Sequence, residues 1–270
     1  MRNRCTLLVV LFLLAVDVGA QSSPAREPPN AVVMQFVRFA DIFGSRLVAA
    51  FESIPEARYA YQPTPTQQTV GYIAQHLEEA NYSLCARLGN GRRPLTAKDS
   101  LADTIKARWP KDTLVLRLKA SLLFCDDILE HLPILDSPAV ASTLLAFETD
   151  LAEHYAQMAS YMRMLGLVPP SALAPKRRTA IVLPASALSQ YVGTYEITPG
   201  WELVVAVRDS VLTIRSSMGG AAAPLWPESP TEFFVNEVDA QVTFSRDTVG
   251  GVTSLVLHQY GRHRPARKVR

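Results

Sequence analysis

Three side chains in this sequence have the types and spacing to hold a divalent metal ion: His76, Asp150 and His154. Asp150 and His154 stand four apart in Thr-Asp-Leu-Ala-Glu-His-Tyr-Ala-Gln-Met, a stretch whose apolar residues recur at helical steps. On a helix such a pair projects from one face with Cβ atoms about 6 Å apart, so both groups can share one ion. His76 lies in a separate helical stretch, where it is expected on the inward stripe with Tyr72, Ile73 and Ala80, and it supplies a third donor. Three protein ligands with a fourth position open is the pattern of a catalytic zinc site rather than a structural one. Two imidazoles and a carboxylate suit zinc or iron, and an ion so held can polarise a substrate carbonyl or activate water. The same residues also admit a second reading, in which His76 is a hydrogen-bonded core histidine and Asp150 and His154 form a local ion pair.

Nothing in the sequence names a nucleophile or a reaction. There is no Gly-X-Ser-X-Gly elbow, no phosphate-binding glycine loop and no Cys-X-X-Cys pair. Glu78, Glu79 and Glu153 are close to the triad along the chain, but a helix turns Glu153 about 100° from His154, toward the surface. Tyr161 and Arg163 stand near the end of the same helix, where structural roles are expected of them.

Four long helices must position these groups. Val33, Phe36, Val37, Ala40, Phe43, Leu47 and Phe51 recur at three- and four-residue steps, which predicts a helix over 31–53 that Ile54-Pro55 ends. A second helix is predicted over 68–88, stopped by the Gly-Asn-Gly-Arg-Arg-Pro cluster, and a short one over 97–106. The third and fourth long helices are predicted over 113–132, ended by Pro133, and from Ser137-Pro138 to Gly166. Together they predict a four-helix bundle over residues 30–170. A linker is expected over 171–182, and beyond it the period changes to two. Alternating segments such as Glu-Leu-Val-Val-Ala-Val-Arg and Gln-Val-Thr-Phe-Ser-Arg predict a small antiparallel β-barrel of eight strands over 183–270. The expected fold class is therefore multidomain α + β.

The chain's 270 residues include a basic, apolar start with small residues at Val18 and Ala20, which predicts a signal peptide over 1–20. That implies a secreted or periplasmic protein with no membrane span after cleavage. In such a compartment Cys85 and Cys125 are expected to form a disulfide, provided their helices are neighbours; two buried thiols are the alternative. The formal charge of +2 is too small to argue for nucleic acid. The closing Gly-Arg-His-Arg-Pro-Ala-Arg-Lys-Val-Arg is read as a solvated edge strand whose charges discourage pairing. Trp201, Trp226, Phe233 and Phe234 are read chiefly as barrel core and secondarily as the lining of a ligand cavity, and His258 as a hydrogen-bonded strand histidine. The first and last long helices offer faces on which the chain could form a homodimer.

Two resemblances go beyond these patterns. Thr-Val-Gly-Tyr-Ile-Ala-Gln-His-Leu-Glu-Glu-Ala-Asn-Tyr, around His76, resembles the second helix of the DinB-like family. Glu-His-Tyr-Ala-Gln-Met-Ala-Ser-Tyr-Met-Arg-Met-Leu-Gly-Leu-Val-Pro-Pro-Ser is similar to that family's last helix. The resemblance implies a four-helix bundle that binds one divalent metal (zinc, nickel or iron) and acts as a metal-dependent hydrolase or thiol transferase on a small molecule. The family's usual first histidine of the last-helix motif is Asp150 here, and its glycine is Ala156. The alternative is a non-catalytic ligand- or partner-binding module of the cell envelope with a degenerate metal site. Over about residues 186–268, Leu-Ser-Gln-Tyr-Val-Gly-Thr-Tyr-Glu and Val-Leu-His-Gln-Tyr-Gly-Arg resemble a lipocalin-like β-domain found behind serine β-lactamase-like hydrolases, an accessory rather than a catalytic unit.

Overall fold

The computed structural model describes residues 30–89, 92–93, 95–132, 137–174 and 177–270. The expected signal peptide, Pro133 and part of the Gly-Asn-Gly-Arg-Arg-Pro breaker lie outside the described residues. Helices occupy the first part of the chain and a nearly closed antiparallel barrel the second. No helix among the described residues is long and apolar enough to cross a membrane.

Helix α1 (Ala31–Ser53) starts where the Asn30 side chain accepts the Val32 N–H at 2.8 Å, satisfying one of the free amides of the first turn. Helix α2 (Val70–Gly89) carries His76, and the short α3 (Asp103–Lys106) follows a 3-10 turn at Ala97–Ser100. Helix α4 (Lys111–Glu130) precedes α5 (Pro138–Met164), which carries Asp150 and His154 and opens with a proline where no amide is needed. At the end of α5, Gly166 adopts φ 74° and the Leu167 N–H reaches back to the Met162 carbonyl at 2.8 Å, a Schellman closure. Both α1 and α2 lie against α4 and α5 around one core of Leu47, Phe51, Ile73, Leu77, Leu118, Phe147 and Met158.

A ladder of polar and covalent contacts fixes α2 on α4. The Arg117 guanidinium donates to Glu78 at 2.8 Å and Asn81 donates to Ser121 at 3.0 Å. One turn further on, Cys85 and Cys125 form a disulfide with Cα atoms 5.2 Å apart. The partner numbers rise together, so the two helices run parallel. The bridge closes a loop of 40 residues. Replacing both cysteines by serine is expected to lower denaturant stability by about 4 kcal/mol, since the unfolded chain regains that loop's freedom. Equilibrium unfolding in guanidinium would show it as a lower midpoint.

After the short helix α6 (Ala185–Leu188), the barrel has nine strands where eight were expected. These are β1 (Gly193–Thr198), β2 (Trp201–Arg208), β3 (Val211–Ser216), β4 (Ala223–Pro224), β5 (Trp226–Pro227), β6 (Glu232–Val235), β7 (Ala240–Arg246), β8 (Val252–Gln259) and β9 (Arg262–Lys268). Their order is β4-β3-β2-β1-β9-β8-β7-β6-β5, all antiparallel. The extra strand comes from Ala-Pro and Trp-Pro on either side of the fully buried Leu225. Two such residues are too few to show a period of two. The two edges of the sheet meet at this leucine, which nearly closes the barrel. Tyr191, Tyr195, Phe233 and Phe244 pack together inside it as tilted and edge-to-face rings 4.9–5.7 Å apart.

The basic C-terminal segment corrects the sequence reading. Strand β9 is not an edge but lies between β1 and β8. Pro265 is tolerated there because it faces Val256 on β8, while β1 joins β9 only at Arg267 and Lys268. Nor is the segment wholly solvated. Arg262 and Arg264 reach the helices, where Arg262 meets Asp41 at 3.0 Å and Arg264 meets Asp41 at 2.9 Å and Glu130 at 3.2 Å. Asp126 completes the cluster, 3.4–3.5 Å from both arginines. Trp201 of β2 is buried in the helical core with the Arg264 guanidinium over its ring at 5.2 Å.

This cluster sets three carboxylates against two guanidiniums, so one acid is left in excess. Burial, reinforced by Asp41 and Glu130 and opposed by the two arginines, pushes Asp126 up to about 6. A carboxyl raised in the fold favours the folded state below its unfolded pKa, and that contribution is lost as pH rises through the folded value. For Asp126 the window runs from about pH 4 to 6, with a size of roughly 3 kcal/mol. Asp126→Asn should remove that fall. Chemical denaturation at pH 4 and pH 6 would show a smaller drop in the variant than in the natural chain.

Candidate metal centre

Helix α2 presents His76 to the face of α5 that carries Asp150 and His154. The Asp150 Oδ1 lies 3.5 Å from His76 Nε2 and 3.4 Å from His154 Nδ1. The imidazole centroids are 4.9 Å apart, with planes inclined by 35°. One donor atom from each residue lies within 4.8 Å of the other two, and this is the one such group of three among the described residues. Ligands at about 2.0–2.1 Å around a tetrahedral ion stand about 3.4 Å apart, the separation already present between Asp150 and His76.

The local hydrogen bonds decide which atoms are free. His154 Nδ1 donates to the Asp150 backbone carbonyl at 2.8 Å, the helical i to i+4 contact. That bond places the proton on Nδ1 and leaves Nε2 with its lone pair, as orienting carbonyls do at metal histidines. The Asp150 Oδ2 is buried without a hydrogen-bond partner. A buried, unpartnered oxygen on a carboxylate that faces two imidazoles is costly unless a proton or a cation joins it, so the donor set fits a divalent ion. The hydrogen bond that the His76 ring donates to the Asp150 carboxylate raises the pKa of His76, with burial acting against it.

Depth differs from the sequence expectation for one of the three residues. His76 is not on the inward stripe; its side chain is 37% exposed, against 20% for Asp150 and 13% for His154. The buried positions beside it are Gln75 and Leu77. The helix is turned so that His76 sits on its margin, which leaves one side of the triad open to solvent. Glu153 is exposed, as expected. Glu78 is taken by Arg117 and Glu79 by Lys106, at 2.6 and 2.9 Å. Tyr161 is buried and donates to the Gln68 carbonyl at 3.1 Å, and Arg163 donates to Ala159 at 3.3 Å, so both have structural partners. His258 is bonded to Thr243 at 3.0 Å and to His263.

Two unpartnered polar residues on the same two helices were missed. Gln75 is buried with neither amide atom partnered, and Glu148 is half-buried with both carboxyl oxygens unpartnered. Burial, aided by Asp41, pushes Glu148 up to about 8. A signal for Glu148 was present in the sequence. It stands four residues after Leu144 and three before Leu151, both fully buried, so it occupies an inward position. Gln75 gave no comparable signal beyond adjoining His76.

Residues 177–267 match a family model described as a domain of unknown function, DUF3471. The match covers the barrel and stops short of the helices that carry the triad. No curated protein matches the chain.

Proposed function

We propose that residues 30–170 are a DinB-like four-helix bundle holding one divalent metal through His76, Asp150 and His154. In this reading the protein is exported and acts as a metal-dependent hydrolase or thiol transferase on a small molecule, with the barrel as an accessory. The observation that carries the reading is the convergence of three donor atoms, from two helices, within 4.8 Å. When bound, a zinc, nickel or iron ion supplies Lewis-acid polarisation of a substrate. The chain's own residues supply the rest. The Asp150 carbonyl holds His154 in one tautomer, the Asp150 carboxylate faces both imidazoles, and the exposed margin at His76 admits a substrate. The disulfide is compatible with export.

A second reading rests on the same carboxylate. Asp150 Oδ1 already stands between both rings and can serve as their ion-pair partner, which would make the chain a non-catalytic binding module. Elemental analysis of protein produced without a histidine tag separates the two. The metal reading expects about one zinc, nickel or iron per chain; a metal-free protein that takes none up on exposure would favour the second.

A further inference from the structure

The barrel opens toward α1, and a cavity of about 360 Å³ lies between them. Its walls are apolar, formed by Leu203, Ile214, Val242 and Leu257 of the barrel with Met34 and Val37 of α1. Leu203, Val242, Met34 and Val37 are buried, so the cavity reaches into the protein's interior from an exposed mouth. At about 30 Å³ per water in the liquid, the space equals roughly a dozen waters, at the lower end of the 300–1,000 Å³ of known ligand pockets.

The charges around the cavity are not balanced. Asp41 is the one carboxylate among its lining residues, and it is committed to Arg262 and Arg264 at 3.0 and 2.9 Å. Arg264, also in the lining, is in turn occupied by Asp41, Asp126 and Glu130. Arg38 of α1 and Arg215 of β3 also line the cavity. Both are exposed, and among the described residues neither makes an ion pair within 4.0 Å. An apolar chamber is thus flanked from two elements by guanidiniums that make no ion pair among the described residues.

We infer that this cavity binds a single-chain aliphatic carboxylate of about ten carbons, its chain in the barrel and its head between Arg38 and Arg215. Apolar walls supply affinity without selecting a head group, whereas a guanidinium can grip a carboxylate through two parallel N–H bonds. The inference uses none of the triad residues and stands or falls separately from metal binding.

Calorimetric titration of the full chain with decanoate and with 1-decanol tests it, with tryptophan emission as a second readout because Trp201 lines the cavity. Decanoate should bind at one per chain and shift the emission, and decanol should bind about tenfold more weakly or worse, for want of the charge-assisted bonds. Combining Arg38→Ala with Arg215→Ala should bring decanoate down to the decanol level while leaving decanol binding and the melting temperature unchanged, since both arginines are exposed. Ile214→Trp, which fills the chamber, should abolish binding of both. Equal affinity for the acid and the alcohol, no saturable decanoate binding, or undiminished decanoate affinity in the double arginine variant would overturn the inference.

Discussion

His154→Ala is expected to lose the metal proposed for the triad, with affinity falling on the order of a thousandfold. Removing a group that merely orients a metal histidine costs 10–100-fold, and losing the ligand itself should cost more. The variant would retain Asp150 and His76, whose donors remain 3.5 Å apart but leave two coordination positions to solvent. The fold should tolerate the change, since the neighbouring core contacts of α5 come from Leu151, Tyr155 and Met158 rather than from the imidazole. Competition against a chromophoric chelator, with thermal melting as the folding control, gives both quantities. Asp150→Asn provides a graded comparison: the side-chain shape is kept and the anionic charge between the two rings is removed. A His154→Ala protein that binds metal as tightly as the natural chain would remove this residue from the site.

Arg264→Ala should produce the largest loss of stability among single changes in the barrel, about 4 kcal/mol, because deleting one partner of a buried ion pair leaves its counter-charges uncompensated. Arg264 is 8% exposed and faces Asp41, Asp126 and Glu130, so three acids would be left with Arg262 alone. Loss of the stacking on Trp201 adds to the cost. Arg267→Ala is the control on the same strand. Its side chain is 77% exposed and only 3.9 Å from Glu196, a surface pair worth about 0.5 kcal/mol or less. Guanidinium unfolding followed by tryptophan emission should separate the two variants clearly. Equal midpoints would mean that β9 is held by its strand ladder and not by the charges beneath it.

Some of this molecule is legible in the order of its residues, and the limits follow from what periodicity measures. Helical spacing located α1 at its observed ends and placed α2, α4 and α5 within about two residues, because breakers such as Ile54-Pro55 and Ser137-Pro138 fall between apolar stripes. The same spacing put Asp150 and His154 on one face of α5. It did not give the depth of His76, since a stripe has margins and only neighbouring helices decide which margin is covered. Cys85 and Cys125 were expected to pair on condition that their helices met, and the parallel run of α2 beside α4 supplies that condition.

Strand β9 failed for a different reason. Arg262 and Arg264 look solvated when read along the chain, but their partners are 221 and 134 residues away in Asp41 and Glu130. No local pattern carries that information. The apolar stems of the two arginines let a basic strand occupy a central position while its charged heads meet acids on the helices.

X-ray absorption at the metal edge, on untagged protein loaded with one equivalent of zinc, tests the triad most directly. The account predicts a first shell with two imidazole nitrogens at about 2.0–2.1 Å and at least one oxygen at about 2.0–2.2 Å, and loss of imidazole scattering in His76→Ala. A spectrum with no imidazole contribution, or one identical in natural and His76→Ala protein, would contradict it.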